Sequence, residues 1–468
     1  MIFIRDNMAP LMFGGMVLFM LVGYPAAFSL AATGLFFGFI GIKVELIRPD
    51  FLGNLTYQLF GVLSNELLLA IPFFTFMGAI LERSGLAEDL LESIGQLFGR
   101  VRGGLSYAVI IVGAILGAIT GTVAASVIAM GVIAMQPMLK HGYSVRHTMG
   151  VIAASGTITQ LIPPSLVLIV LADQLGRSVG DMYAGAIGPS LIQIALFGAF
   201  VFILSIFRPK TVPALPRNAR TLQGWALAVK CLRGIVPSLG LIFLVLGTIF
   251  FGLTTPTEAG AMGAVGAIAL ALFNRTFSYA LLYQAMATTM RITAMVVFIL
   301  IGARVFSLVF QGVGGKEWIE NWLTALPGGQ IGFLIFVNLF IFFIAFFLDF
   351  FEIAFIIVPL LAPVAAKLGI DLVWFGVLIC ANMQTSFMHP PFGYALFYLR
   401  GIAPPEIKTS DIYWGAVPWV CLQLVLVLVL IFWPESVTHW ISKPTVLDPN
   451  KVFELQQPDL PPPLYFGE

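Results

Sequence analysis

A long apolar run without charge is the feature that most limits how this chain can fold. No Asp, Glu, Lys or Arg occurs between Leu105 and Leu139. Because about 20 apolar residues suffice to cross a bilayer as a helix, this run is too long for one straight span. The apolar stretches 9–42 and 331–366 exceed that length in the same way. Each of the three must therefore contain a turn, a kink at a residue such as Pro25, or a re-entrant hairpin.

The composition places the chain in lipid. Of the 468 residues, 59% are hydrophobic and only 10% are charged, whereas soluble domains are roughly 25% charged. A net charge of +1 offers no basic surface for nucleic acid. The three cysteines are too few for a disulfide framework, the four histidines lack metal-ligand spacing, and no hydrolase or nucleotide-binding motif occurs. We therefore predict a membrane protein that is neither an enzyme nor a nucleic-acid-binding protein.

Apolar stretches alternate with short polar segments along most of the chain, which predicts an all-α polytopic fold with about ten to fourteen crossings. The segment 82–102 alternates polar and apolar residues at helical spacing, and this pattern predicts an amphipathic helix in the membrane interface. Between the two halves, 208–233 is basic and contains three prolines, which indicates a cytoplasmic connector under the positive-inside rule. The segment 435–468 is polar and proline-rich, and we predict an extended tail there.

Three landmarks of the first half recur in the second half at offsets of 225 to 227 residues. The matched landmarks are Gly103-Gly104 with Gly328-Gly329, Gly142 with Gly369, and Pro163-Pro164 with Pro390-Pro391. If each long run forms a hairpin that enters and leaves on one side, the two proline-bearing helices run in opposite directions. The repeats are then inverted, and most Lys and Arg residues lie on the side of the connector.

This organisation divides the chain into six parts. We predict N-terminal spans with the amphipathic helix in 1–102, a first repeat with a hairpin and a broken helix in 103–207, the connector in 208–233, scaffold spans in 234–327, a second repeat with a hairpin and a broken helix in 328–434, and the tail in 435–468.

Polar and helix-breaking residues interrupt both repeats at equivalent depths. Inverted repeats with interrupted helices are typical of secondary transporters, because half-helix ends supply dipoles and free carbonyls. A proline pair removes two backbone donors and frees carbonyls about one turn upstream, and such oxygens beside Ser and Thr hydroxyls suit a hard cation such as sodium. The residues predicted to bind ion or substrate are Thr120, Gly121, Thr122, Ser155, Gly156, Thr157, Pro163, Pro164, Asp349, Asn382, Thr385, Ser386, Pro390 and Pro391.

Asp349 has two interpretations. A carboxylate at the centre of a membrane helix costs roughly 2.5–3.5 kcal/mol, so Asp349 should face a polar cavity or a partner. It either contributes to ion binding or only caps the tip of the second hairpin.

Five separated segments carry a resemblance to a known family. They are IPFFTFMGAILERSGLAEDLLESIGQLFGRVRGGLS, GAITGTVAASVIAMGVIAMQPMLKHGYS, ASGTITQLIPPSL, TTPTEAGA and LDFFEIAFIIVPLLAPVAAKLGID, in this order. Together they resemble the large M subunit of TRAP transporters, the DctM-like family, over nearly the whole chain. The resemblance implies an elevator-type transporter of the bacterial inner membrane that imports an organic acid carrying a carboxylate. It implies no cofactor except the coupling ion, which is usually sodium.

The resemblance also implies two protein partners, a small four-helix Q membrane subunit and a periplasmic substrate-binding protein. The TTPTEAGA turn at 254–261 and the amphipathic segment argue against a stand-alone inverted-repeat carrier, which is the first alternative; a non-transport scaffold subunit is the second. His389 stands where the family usually has a threonine before the proline pair. This departure leaves proton coupling open as an alternative to sodium.

Overall fold

The computed structural model describes residues 2–216, 219, 224–390 and 393–441. Within these ranges the chain is helical and has no β-strand, and its longer helices are apolar enough to cross a bilayer. The predicted all-α polytopic fold is therefore confirmed. Pro391, the connector residues Arg217 and Arg220, and the tail from 442 onward lie outside the described residues.

Among the described residues, five α-helices precede the amphipathic segment. They are α1 (Ile2–Asp6), α2 (Met8–Leu21), α3 (Ala26–Lys43), α4 (Asn54–Leu63) and α5 (Ala70–Glu82). The predicted break in the stretch 9–42 lies between α2 and α3, where Gly23 has a φ of 87° and Pro25 caps α3. Proline has no N–H with which to continue α2, so the chain turns at this point.

The first repeat and the spans after the connector contain nine helices among the described residues. Those of the first repeat and its approach are α6 (Leu86–Leu97), α7 (Gly104–Thr120), α8 (Val123–Lys140), α9 (Val145–Thr157), α10 (Leu166–Leu175) and α11 (Val179–Phe207). Three long helices follow, α12 (Gly224–Phe250), α13 (Pro256–Phe273) and α14 (Tyr279–Gly312). Helix α14 packs with α3 and α5, α13 packs with α5, and α12 packs with α13, so the N-terminal helices and the spans after the connector form one body.

The second repeat follows the same order of elements. Its helices are α15 (Gly315–Thr324), α16 (Gly329–Ile344), α17 (Phe350–Glu352), α18 (Val358–Lys367), α19 (Leu372–Ser386), α20 (Tyr394–Ile402) and α21 (Thr409–Phe432). The last described helix, α22 (Glu435–Thr438), lies at the start of the segment predicted as an extended tail. A π-helical turn, Ile353–Ile357, joins α17 to α18, so the second arm of this hairpin is one 18-residue helix.

The matched glycines have matched backbone conformations. Gly103 and Gly328 precede α7 and α16 with φ values of 77° and 94°, and Gly142 and Gly369 follow α8 and α18 with φ values of 83° and 75°. Only glycine adopts this left-handed conformation without a steric penalty, so a sequence that places it at the same points in both halves specifies the same turns. The repeat read from the sequence is therefore a structural repeat in element order and turn conformation.

The two repeats are interlocked. Helix α9 of the first repeat packs against α21 of the second, and α19 of the second packs against α11 of the first. The second arm of each hairpin also packs on the opposite repeat: α8 contacts α20, and α18 contacts α10. Glycines permit these close approaches: a Cβ at Gly150 of α9 would collide with the carbonyl oxygen of Gly415 in α21. Each repeat therefore supplies part of the core of the other.

Two amphipathic helices flank the hairpins, of which the sequence indicated one. The helix predicted over 82–102 is shorter in the structure, where it is α6 (Leu86–Leu97). Its start is set by α5, which extends to Glu82, and by the left-handed Gly85 between the two helices. Its counterpart α15 also follows a left-handed glycine, Gly314, and buries Ile319 and Leu323 while its charged residues face outward. Helix α15 was not predicted from the sequence, because we assigned all of 234–327 to scaffold spans.

The number of long spans is lower than the apolar stretches indicated. Among the described residues, eight helices have the length and composition to cross a membrane, or up to ten if each of two bent pairs is one span. The upper figure of ten equals the lower end of the ten to fourteen crossings that we expected. The reason is that breaks shorten several arms: α10 has 10 residues, α19 has 15 and α7 has 17.

The inverted orientation of the repeats remains a prediction, which single cysteines can test. Lys140, at the end of the first hairpin, and Lys316, before the second hairpin, are both exposed. We expect Lys316→Cys to react with a membrane-impermeant maleimide in intact cells and Lys140→Cys to react only after permeabilisation. Cys421→Ser removes the exposed native thiol, since Cys231 and Cys380 are buried. Labelling of both positions from the same side would contradict the inverted topology.

Candidate functional site

The tip of the first hairpin is a two-residue turn. Helix α7 ends at Thr120, Gly121 has a φ of 63°, and Thr122 is extended before α8 begins at Val123. The left-handed Gly121 lets the chain reverse without a longer loop. The interruption predicted at Thr120 to Thr122 is therefore where the structure places the turn.

The tip of the second hairpin is fixed by Asp349. Its Oδ1 accepts a hydrogen bond from the Glu352 N–H at 3.0 Å, and Glu352 Oε2 accepts one from the Asp349 N–H at 3.0 Å. This reciprocal arrangement is a capping box, and it satisfies two donors that the start of a helix leaves free. The capping interpretation of Asp349 is confirmed, while its part in ion binding stays a prediction.

Both proline-bearing helices are broken at the predicted places. Helix α9 gives way to a 3-10 turn, Ile158–Gln160, and Pro163-Pro164 lie in the irregular segment before α10. Ser165 restarts the helix, because its hydroxyl accepts a hydrogen bond from the Val167 N–H at 3.2 Å. In the second repeat α19 ends at Ser386, and Pro390 lies in the segment before α20.

The hydroxyls predicted to bind an ion are buried and turned toward their own helices. Thr157 Oγ1 donates to the Ala154 carbonyl at 3.0 Å, Thr385 Oγ1 donates to the Asn382 carbonyl at 2.7 Å, and Ser386 Oγ donates to the Met383 carbonyl at 2.6 Å. Such bonds compete with the regular ladder at a helix end and weaken it there. These hydroxyls therefore donate their hydrogen bonds within the helix ends, at the points where the two helices break.

Two further predicted residues keep an unpaired oxygen. Ser155 Oγ has no hydrogen-bond partner among the described residues, and the same holds for Asn382 Oδ1, although Asn382 Nδ2 donates to the Asn338 carbonyl at 2.7 Å. Ser155 and Asn382 are 0% and 1% exposed. A buried polar atom without a partner carries a free-energy penalty, so each oxygen is available to a ligand.

The first hairpin lies directly on the first broken helix. A Cβ added to Gly113 would lie 2.6 Å from Ser155 Cβ and 2.8 Å from its carbonyl oxygen, and one added to Gly117 would lie 2.9 Å from Thr159 Cα. Gly156 makes an equally close approach to Val127 of α8. The predicted site residue Gly156 thus has a packing role, which is to let hairpin and broken helix touch backbone to backbone.

A cavity of about 320 Å³ joins the two hairpin tips and the two broken helices. Of the predicted residues, Gly121, Thr122 and Asp349 line it. Ser155, Gly156, Thr157, Asn382, Thr385 and Ser386 lie outside its lining, in the helices that carry it. The predicted prolines Pro163, Pro164 and Pro390 also lie outside the lining, in the breaks themselves. The structure therefore separates a cavity-lining group at the tips from a buried group in the broken helices.

Several lining residues were not identified from the sequence. They are Gln160 and Leu166 of the first broken helix, Phe387, Tyr394 and Tyr398 of the second, and Ile292 and Met295 of α14. Gln160 is 1% exposed, and neither side-chain amide atom has a hydrogen-bond partner among the described residues. The available signal was a glutamine inside an apolar run, since such residues usually face a cavity or a partner in membrane helices.

His389 packs between aromatic rings. Its ring centroid lies 4.2 Å from that of Phe342 and 4.3 Å from that of Phe346, and the second pair is stacked. Neither ring nitrogen has a hydrogen-bond partner within the described chain. These contacts favour the interpretation in which the imidazole packs beside the broken helix.

One protein family matches almost the whole chain. The family described as the tripartite ATP-independent periplasmic transporter, DctM component, matches residues 13–436. The chain belongs to this family. The relatives of this DctM-family chain are named as transporter permeases, so it is not an enzyme.

Two curated relatives show the range of the DctM family. The C4-dicarboxylate TRAP transporter large permease protein DctM of Pseudomonas aeruginosa is 31% identical over 406 residues, which cover 86% of this chain and 93% of that protein. The ectoine/5-hydroxyectoine TRAP transporter large permease protein UehC of Ruegeria pomeroyi is 30% identical over 430 residues, covering 92% and 97%.

A solved structure shares the fold. The YdaH transporter of Alcanivorax borkumensis superposes with a TM-score of 0.58 at 17% identity and covers 84% of this chain and 89% of its own. At this identity the likeness extends to the fold alone.

The glycine contact between hairpin and broken helix gives a stability prediction. We expect Gly113→Ala to lower the thermal unfolding midpoint of the detergent-solubilised protein, since a methyl group forced into a packed interface costs about 1–3 kcal/mol. The matched control is Gly240→Ala in α12, where an added Cβ has no atom within 4 Å. Equal midpoints for the two variants would show that the contact at Gly113 is looser than described.

Proposed function

We propose that this chain is the large permease subunit of a tripartite secondary transporter that imports an organic acid by cation symport, with sodium as the cation, across the bacterial inner membrane. The observation that supports it most is the cavity in which both hairpin tips meet both broken helices, in a chain of the DctM family. Ligands of the two named relatives, a C4-dicarboxylate and ectoine, each carry a carboxylate.

The chemistry of the cavity supports symport. Among the described residues that line it there is no Lys, Arg or His. Its polar side chains are Thr122, Gln160, Tyr394, Tyr398 and Asp349, of which the first four can donate hydrogen bonds. An anion that leaves water for such a site needs a compensating charge. Since the lining offers no fixed positive charge, a co-transported cation is the source that we propose.

The broken helices supply the oxygen atoms that such a cation requires. Ser155 Oγ and Asn382 Oδ1 are buried and unpaired on the two helices. Hard cations prefer oxygen ligands from hydroxyls, amides and backbone carbonyls. We propose one ion at each break, with the hairpin tips at Thr122 and Asp349 closing each site.

An elevator movement fits the division of the fold. The interlocked repeats form one body, and α14 of the other body contributes Ile292 and Met295 to the cavity wall. Apolar side chains on that wall make no directional bonds that would have to be broken when the repeats slide past. We propose that the repeats carry the substrate past α14.

Two partners belong to the proposal, a small four-helix Q subunit and a periplasmic substrate-binding protein that delivers the organic acid. The description of the family as tripartite supports this. The alternative is a stand-alone inverted-repeat carrier, which would transport without these partners.

We expect uptake by proteoliposomes to need three components together: this chain, the small membrane subunit and the ligand-loaded binding protein. An inward sodium gradient should drive the uptake, because the cation neutralises the anionic substrate in the cavity. The measurement is accumulation of radiolabelled substrate, with each component omitted in turn as control. Uptake without the binding protein would favour the stand-alone carrier, and uptake that ignores the sodium gradient would reject sodium coupling.

His389→Thr tests the coupling ion. Because the imidazole packs between Phe342 and Phe346 and neither ring nitrogen has a hydrogen-bond partner among the described residues, we expect sodium-driven uptake to persist in this variant with an unchanged pH profile. Phe342→Leu, which loosens the same contact without removing a titratable group, is the matched control. A pH profile that flattens in His389→Thr alone would instead identify His389 as a proton-binding group.

A further inference from the structure

Two buried glutamines occupy equivalent places in the two repeats. Gln193 lies fourteen positions after the start of α11, and Gln423 lies fourteen positions after the start of α21. Both side chains are 0% exposed. A fully buried primary amide in an apolar helix is rare, and one that occurs twice at matched positions indicates a shared role.

Each glutamine bonds to the broken helix of the other repeat. Gln193 Nε2 donates to Gln384 Oε1 of α19 at 2.6 Å, and Gln423 Nε2 donates to Thr157 Oγ1 of α9 at 3.0 Å. The two acceptors are equivalent as well, since both lie twelve positions after the start of their helices. The same hydrogen bond is thus made twice, crosswise between the repeats.

The acceptors lie where the broken helices end. Thr157 is the last residue of α9, and Gln384 lies two residues before the end of α19. Gln423 Nε2 also approaches Met388 Sδ, at 3.7 Å, so it contacts the second break as well as the first. A hydrogen bond at this point restricts how far each helix can unwind.

Unpaired oxygens accompany both bonds. The Oε1 atoms of Gln193 and Gln423 have no hydrogen-bond partner among the described residues. The same holds for Ser155 Oγ and Asn382 Oδ1, which lie two residues before the acceptors Thr157 and Gln384 on the broken helices. Ser155 and Asn382 are again equivalent, ten positions after the starts of α9 and α19. Each break therefore has the same set of a paired donor and unpaired acceptors.

We propose that Gln193 and Gln423 are crossed positioning residues, each of which holds the broken helix of the opposite repeat in the conformation that binds the coupling cation. This rests on the proposed cation symport for its functional part. The crossed geometry itself is independent of the identity of the cation.

Hydrogen exchange followed by mass spectrometry on the full chain in nanodiscs tests the crossed geometry. We expect Gln423→Leu to accelerate amide exchange in 154–162 of the first repeat, and Gln193→Leu to accelerate it in 382–389 of the second. Gln284→Leu, at an exposed position of α14, should change neither segment. Acceleration confined to the repeat that carries the substitution, or the same in all three variants, would overturn the proposal.

If Gln423→Leu does not yield folded protein, Thr157→Val replaces it, because the valine removes the acceptor while keeping the shape of the side chain. It should accelerate exchange in the same segment, 154–162. An unchanged segment in Thr157→Val would equally overturn the proposal.

Sodium activation of uptake tests the positioning role. We expect each single leucine variant to raise the sodium concentration for half-maximal uptake about three- to tenfold, with a smaller effect on the maximal rate, since one buried hydrogen bond is lost. Gln423→Leu combined with Thr157→Val should be no worse than either alone, because both remove the same bond. Fully additive effects, or a change in maximal rate only, would reject the role. Should the wild type show no sodium dependence, the proposed sodium symport fails by itself, and the exchange experiment still decides whether the bonds act crosswise.

Discussion

Backbone N–H and C=O groups have no water to bond with inside a bilayer, and this constraint organises the molecule. A helix can be interrupted in lipid only where other protein covers the interruption. Here the cover is reciprocal, because α21 packs on the broken helix α9 and α11 packs on the broken helix α19. The breaks can exist because the repeats interlock, and the hairpin tips reach the same place because their arms pack on those helices. The cavity is a consequence of this mutual covering.

Some residues of the site are held in place by their contacts, whereas others keep polar atoms that no described residue satisfies. The capping box holds the Asp349 carboxylate at the hairpin tip, while the glycine contacts hold the first hairpin against Ser155. By contrast, Gln160 in the cavity wall has two amide atoms that no described residue satisfies. A site with a rigid frame and a few unsatisfied polar atoms is prepared for a ligand that brings its own charge and hydrogen-bonding groups.

The sequence allowed us to predict those features that a single residue determines in its own backbone. Glycine and proline fix their own backbone angles, so Gly121, Gly142, Pro25 and the pair Pro163-Pro164 marked turns and breaks correctly. The contacts of Gln193 and Gln423 could not be predicted in this way, because their acceptors lie 191 and 266 positions away in the chain. Helix α15 was missed for another reason: it is short and polar, and it was hidden between two apolar stretches.

Residues of the site fell between these two cases. The tips and breaks were identified because polar side chains interrupt apolar runs there. The distinction between residues that line the cavity and residues that lie behind it depends on how four segments converge, and no local pattern carries that information. The same is true of Ile292 and Met295, whose helix is continuous and has no break that would mark its position beside the cavity.

The interlocking of the repeats also has a consequence for how the chain is made. Helix α9 is synthesised long before α21, its main packing partner. Gly150 of α9 therefore has no contact with Gly415 until α21 has been made. During that interval the first broken helix lacks the native contact with α21. The first half can therefore complete its native packing only when synthesis of the second is nearly finished.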